Sequence, residues 1–236
     1  MRKGTGMITD PGLARLMTWL SPNFPVGAFA YSHGLEHAVE SGDVADVEDL
    51  IRWIDGILSF GGGRVDGVLF RAAYEAVRDT DEARLMWAVE RGEALRSTSE
   101  LALESASQGR AFLDTLAKVW PHDRLSAFQD TLALSAREPA YPVAVAVACA
   151  LAEIPLHASL VAYLTAFAAN LVSAVVRLVP LGQTDGQRAL AALEERIVRA
   201  AREVLACNPD DLGGAALAMD WHSMRHETQY TRLFRS

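Results

Sequence analysis

The chain has 236 residues, half of them apolar and 22% charged, with a formal charge of −8. That length is enough to bury a core, and that apolar share excludes an intrinsically disordered chain. The basic residues are almost all arginine, lysine occurring only at Lys3 and Lys118, and no basic run interleaves with aromatics, so nucleic acid is not an expected partner.

Taken in chain order, apolar residues follow a three-or-four rhythm almost throughout. Leu13, Leu16, Met17 and Leu20 form the first helical set, with Asp10 placed as a cap ahead of Pro11. Residues 21–36 differ. Pro22 and Pro25 stiffen this segment and Gly27 permits close backbone approach, which suits either a recognition loop or a fixed entry into the next helix. A short helix then stops at Gly42. Asp46 and Asp49 open the next one, carried by Leu50, Ile51, Ile54, Ile57 and Leu58. Breaks are expected at residues 61–63, where three glycines read as a flexible turn, and at 120–122, 138–142 and Pro155.

Residues 158–176 carry no charge and are long enough to raise the question of a membrane span. Leu160, Leu164, Phe167 and Leu171 share one face, however, while Asn170, Ser173 and Arg177 share another, which predicts a packed helix of a protein without a membrane partner. The polar trio is expected to form a seam at a helix or dimer contact. Residues 180–186 break the chain again and present Gln183, Asp185 and Gln187. Leu190, Leu193, Ile197, Ala200 and Val204 make another helix, and 208–214 another break. No period-two alternation of strand length occurs. The expected fold class is all-α: one domain over 1–236, of roughly eight to ten helices, with residues 1–9 and the tail 220–236 flexible until a partner binds.

Several motifs suggest catalysis. His33-Gly34-Leu35-Glu36-His37 has the His-x-x-Glu-His spacing of an inverted zinc-hydrolase motif, which requires both imidazoles on one helix turn and a third ligand. Gly34 weakens such a turn and no residue stands out as the third ligand, so a zinc-dependent hydrolase is the alternative rather than the leading reading. Ala30-Tyr31-Ser32-His33-Gly34 is one substitution from a nucleophile elbow, but that turn needs a sheet; Ser32 is expected to cap a helix start instead. Neither lysine follows glycine as a phosphate-binding loop requires. His222, His226 and Glu227 offer only two imidazoles on a tail, a weak metal site. Cys149 and Cys207 lie far apart and no cleavable signal opens the chain, which suits a reducing cytoplasm.

Three ordered blocks resemble the urease accessory protein family UreF: Ser21-Pro22 with residues 25–29, Tyr31-Ser32 and 34–36; then Asn170 with residues 177–187; then 225–230 with 232–236. The resemblance implies an all-helical, homodimeric chaperone, not an enzyme and without a cofactor or metal ligand of its own. Such a protein joins UreD (UreH) to the GTPase UreG, bears on GTP hydrolysis by UreG, and serves nickel insertion into apo-urease. The residues expected to meet partners are Pro25, Gly27, Tyr31, Ser32, Glu36, Gln183, Asp185, His226, Glu227, Gln229, Tyr230, Arg232, Leu233, Phe234 and Arg235. In the tail, Tyr230, Leu233 and Phe234 supply apolar anchors and the arginines supply planar donors to carboxylates.

Overall fold

The computed structural model describes residues 7–236, so most of the N-terminal segment expected to be flexible, residues 1–6, lies outside the described residues. The described residues are all-helical, with no strand. The helices are α1 (Asp10–Trp19), α2 (Leu35–Glu40), α3 (Val47–Phe60), α4 (Gly62–Asp79), α5 (Glu82–Ala94), α6 (Ser99–Val119), α7 (Asp123–Ser135), α8 (Tyr141–Leu151), α9 (Leu156–Leu178), α10 (Gln183–Ala206) and α11 (Leu217–His226). Single 3-10 turns occupy Ala28–Ala30 and Pro209–Asp211.

Composition decides which helix sits at the centre. Helix α8 is a run of alanine, valine and one cysteine with Pro142 in its first turn, and residues 142–150 are all buried. A helix apolar on every side has no face to give to water. Helices α4, α6, α9, α7 and α5 surround it, and α10 packs across α9, α3 and α4. Each fully buried valine, such as Val143 or Val145, contributes on the order of 1.5 kcal/mol.

The helix starts follow their caps. The Thr9 hydroxyl accepts from Gly12 N, the Asp46 carboxylate from Asp49 N, and the Thr98 hydroxyl from Leu101 N. The glycine triplet departs from expectation. Only Gly61 interrupts the helices, while Gly62 and Gly63 already belong to α4. A Cβ at Gly63 would lie 2.9 Å from Leu58 Cα, so the triplet lets α4 start hard against the end of α3 rather than acting as a flexible turn.

Helix α9 is long and apolar enough to cross a bilayer by length and composition, yet half of that stretch is buried within the protein. Leu160, Tyr163, Leu164, Ala168, Leu171 and Val175 enter the core. Of the polar trio, Ser173 and Arg177 are exposed, so they form no buried seam with a helix of the same chain, and Arg177 reaches sideways to other elements.

Near the centre the core holds one charged cluster. Asp66 on α4 takes Arg96 Nη1 at 2.7 Å on one carboxylate oxygen and the Tyr163 hydroxyl at 2.7 Å on the other. Arg96 also donates from Nε to Gly92 O at 3.1 Å, and its Nη2 has no partner. Burial pushes the Tyr163 hydroxyl well above the usual tyrosine range, so it remains a donor. Asp66→Ala strands a buried guanidinium and is expected to cost about 4 kcal/mol in urea unfolding, against about 1 kcal/mol for Tyr163→Phe; equal small losses would show that Arg96 finds other compensation.

Candidate functional site

Residues 28–36 and the C-terminal tail meet at the short helix α2. Ahead of it, His33 has φ 58° and Gly34 φ 79°, so two successive left-handed residues turn the chain before the helix begins. Gly34 is required twice over, because a Cβ there would also lie 2.9 Å from Ser223 N on α11. Ser32 caps the start as expected, its hydroxyl accepting from Glu36 N at 3.2 Å.

The turn aims the Glu36 carboxylate at the tail. One oxygen accepts from Leu233 N at 2.6 Å; the other accepts from Phe234 N at 2.8 Å and faces His226 Nε2 at 3.1 Å. His226 is wholly buried, and its Nδ1 faces Glu100 Oε2 at 2.6 Å. The other Glu100 oxygen takes Arg232 Nη1 at 2.6 Å. Glu36, His226, Glu100 and Arg232 therefore form one hydrogen-bonded chain from α2 through α11 and α6 to the tail.

Further bonds extend this seam. Glu227 accepts from the Ser99 amide at 2.8 Å and the Ser99 hydroxyl at 2.6 Å, at the first residue of α6. The Ser99 hydroxyl bond, ahead of the amide bonds, holds the Glu227 carboxyl below its usual range. The Thr98 and Ser223 hydroxyls meet at 2.8 Å. At the tail's end Ser236 O accepts from Ser32 N at 2.9 Å and from the Ser32 hydroxyl, while Ser236 Oγ donates to Glu104 at 2.7 Å. Arg235 N donates to Ala30 O at 2.8 Å. Arg177 ties α9 to the loop before α2 and to the tail: Nη1 donates to Phe29 O at 2.9 Å, and the guanidinium lies 4.4 Å from the Phe234 ring centroid.

The residues expected to meet partners thus separate into two sets. Tyr31, Ser32, Glu36, His226 and Phe234 are buried in the chain's own packing, because they join the tail to the loop before α2. Asp185 is half-buried and caps α10, accepting from Gly182 N at 3.1 Å and pairing with Arg188 at 2.7 Å; Gln183, beside it, is exposed. Gln229 is half-buried and donates to Thr231 O. Pro25, Tyr230, Arg232, Leu233 and Arg235 are exposed, as is the Glu227 side chain that bonds α6. Gly27 supplies a left-handed turn with open space where a Cβ would stand, so it makes no close approach within this chain. The tail, expected to be flexible, is placed here on its own domain by Glu36, Glu104, Ser32 and Arg177.

The zinc-hydrolase motif is not assembled. His33 precedes α2 instead of sharing a turn with His37, and the three side chains diverge: His33 lies against Phe167 and 3.6 Å from Glu104, Glu36 turns to the tail, and His37 turns to His222. His222 and His226 likewise serve different contacts. Among the described residues no group of three or more His, Cys, Asp or Glu side chains is arranged to hold a metal ion. A pocket of about 290 Å³ lies nearby, between His33, the first glycines of α4 and the start of α11. Sequence reading missed Glu100, Glu104, Ser99 and Arg177 as the holders of the tail; the N-terminal position of Ser99 and Glu100 on α6 was the only local signal.

The sequence model of the UreF family matches residues 44–194. Relatives named urease accessory protein UreF include one from Rhodopseudomonas palustris strain BisA53, 48% identical over 97% of this chain and 98% of its own length. Another, from Granulibacter bethesdensis, is 49% identical over 98% of this chain and 97% of its own. A third, from Azorhizobium caulinodans, is 46% identical over 96% of each.

Glu36→Ala removes the acceptor of two tail amides and one face of His226. Its expected cost is about 3 kcal/mol, or roughly a hundredfold in tail opening, read as faster amide exchange at Leu233 and Phe234. In the isolated unaltered chain those two amides are expected to be protected; equal, fast exchange in both proteins would show that the tail is not held by this carboxylate.

Proposed function

Because the chain belongs to the UreF family of urease accessory proteins, we propose that it is a non-catalytic assembly factor joining UreD (UreH) to the GTPase UreG in the complex that brings nickel to apo-urease. The observation that carries this reading is the outward surface of the C-terminal elements. Leu217, Trp221 and Met224 recur along one exposed side of α11, and the tail adds Tyr230 and Leu233, both exposed, with Arg232 and Arg235 among them. Aromatic and aliphatic anchors beside planar donors are the composition of interface hot spots. The tail backbone beneath them is held by Glu36, so a partner meets a preshaped surface and little entropy is lost on docking. UreD takes this face in the present reading.

A homodimer has support of a different kind. Between α1 and α9 runs an open apolar groove of about 560 Å³, bordered by Leu13, Met17, Val161, Ala162 and Ala166. Small residues on α9 permit close helix approach, and a second copy related by a two-fold axis would present the same groove. The cytoplasm is the proposed location: Cys149 and Cys207 are both free, and burial pushes the Cys149 thiol up to about 12, which leaves it inert.

Co-expression with tagged UreD from the same source tests the adaptor reading. Trp221→Ala and Tyr230→Ala are each expected to weaken retention by about tenfold or more while leaving the melting point in place; retention equal to the unaltered chain, or none by either protein, would sink it. Timing GTP turnover by UreG with and without the chain reads the control of hydrolysis, acceleration pointing to a supplied arginine and slowing to restraint. Ala162→Arg is expected to halve the mass seen by light scattering; an unchanged mass places any dimer contact elsewhere.

A further inference from the structure

Helix α11 is inverted relative to an ordinary surface helix. Its buried side chains are His222, Ser223 and His226, while Leu217, Trp221 and Met224 face outward. It is therefore seated largely by hydrogen bonds and charge, with Met219 packed against the core and the Trp221 ring edge-on to His37 and His222, and such a seat responds to protonation. The contact between α11 and α2 that depends on protonation most directly is His37 Nδ1 facing His222 Nδ1 at 2.9 Å.

At that distance one nitrogen donates and the other accepts. His222 Nε2 lies 3.2 Å from Asp43 Oδ2, which assigns its proton to Nε2, leaves its Nδ1 as the acceptor and makes His37 the donor. One extra proton is tolerated, since an imidazolium still donates to a neutral ring. A second is not: both Nδ1 atoms would then bear hydrogen, and two cations would meet at hydrogen-bond distance.

We propose that the His37–His222 contact is a pH-sensitive catch, holding α11 and the tail on α2 near neutral pH and releasing them when both rings are protonated.

The surroundings favour this sign. Burial is the first cause lowering both rings below 6.5; Arg225 and His226 on α11 lower His37 further, against Glu40 on α2 and Asp43 on the following loop. For His222 only Asp43 opposes, and its carboxylate is more than half exposed. From α3 the pair is faced by the uncharged Trp53 ring, 5.1 Å from His222. Glu36 and Glu100 are already engaged by the two nitrogens of His226, and Asp220 by the Ser97 hydroxyl. A base lowered in the docked state binds fewer protons there than when released. Docking is thus at full strength above about 6.5 and weakens as pH falls through the lowered values.

The inference concerns this chain alone and does not rest on the adaptor reading. Amide exchange over residues 217–236 of the isolated full chain, corrected for the intrinsic pH dependence, is compared at pH 7.5 and 5.5 with that of His37→Gln, whose amide replaces the donor without a titrating ring. Protection in the unaltered chain is expected to fall by about tenfold or more, while His37→Gln changes by less than about threefold. Full protection at pH 5.5 in the unaltered chain overturns the proposal, and so does an equal loss in His37→Gln, which assigns the effect to the carboxylates. Should His37→Gln lose the tail already at pH 7.5, His222→Gln is read by the same rule; loss there too at pH 7.5 shows that the hydrogen bond and not the charge is decisive, which also overturns it.

Discussion

The seating of the C-terminal tail beside α2 depends on one carboxylate. Glu36 accepts from two consecutive tail amides and from the ring of His226, and it is aimed there by a turn that only glycine at position 34 permits. Three donors around one buried anion satisfy it without a cation lying directly against both oxygens, and they fix the tail backbone in place. Leu233 and Phe234 would otherwise leave their amides without an acceptor as they approach α2. Glu100 continues the seam by taking the second nitrogen of His226 and the guanidinium of Arg232, so each buried polar group along it has a partner.

A seam of this kind is specific rather than strong. Each bond replaces one that water would make, so its net contribution is about 1 kcal/mol, more where a charge takes part. Apolar docking, by contrast, gains with every Å² covered. The core around α8 is built in the second way, with Phe70, Phe112, Leu69 and Leu164 fully buried, and α11 in the first. The protein therefore combines a well-packed body with a terminal element whose attachment is polar and whose apolar residues remain available.

The body was legible in the sequence because helix periodicity and caps are local. Asp46 caps α3 where its sequence position predicts, and the apolar sets of α3 and α10 are buried in the core or packed against it as their spacing predicts. The seam was not legible, because its partners are up to 204 residues apart, as with Ser32 and Ser236, and no window contains both. The His-x-x-Glu-His spacing, only the alternative because Gly34 weakens the turn, fails for a related reason: a periodicity argument assumes a continuous helix, and the left-handed backbone at His33 and Gly34 breaks it before Leu35. The glycine triplet was read as slack when it is a tight crossing, since composition records the missing side chain but not the neighbour that excludes it.

The separation of the tail into inner and outer residues follows from this geometry and limits what each can do. A residue holding the tail from inside, such as Phe234 under the Arg177 guanidinium, cannot at the same time offer its surface to another protein. Its effect on a partner is indirect, through the position it gives Leu233 and Arg235 on either side. The backbone bends at Leu233 and Phe234, which lets both amides face Glu36 and leaves Leu233 and Arg235 exposed on either side of the buried Phe234 ring. One interior contact thereby orients two exposed groups, and a change at Phe234 would alter recognition without touching the recognised surface.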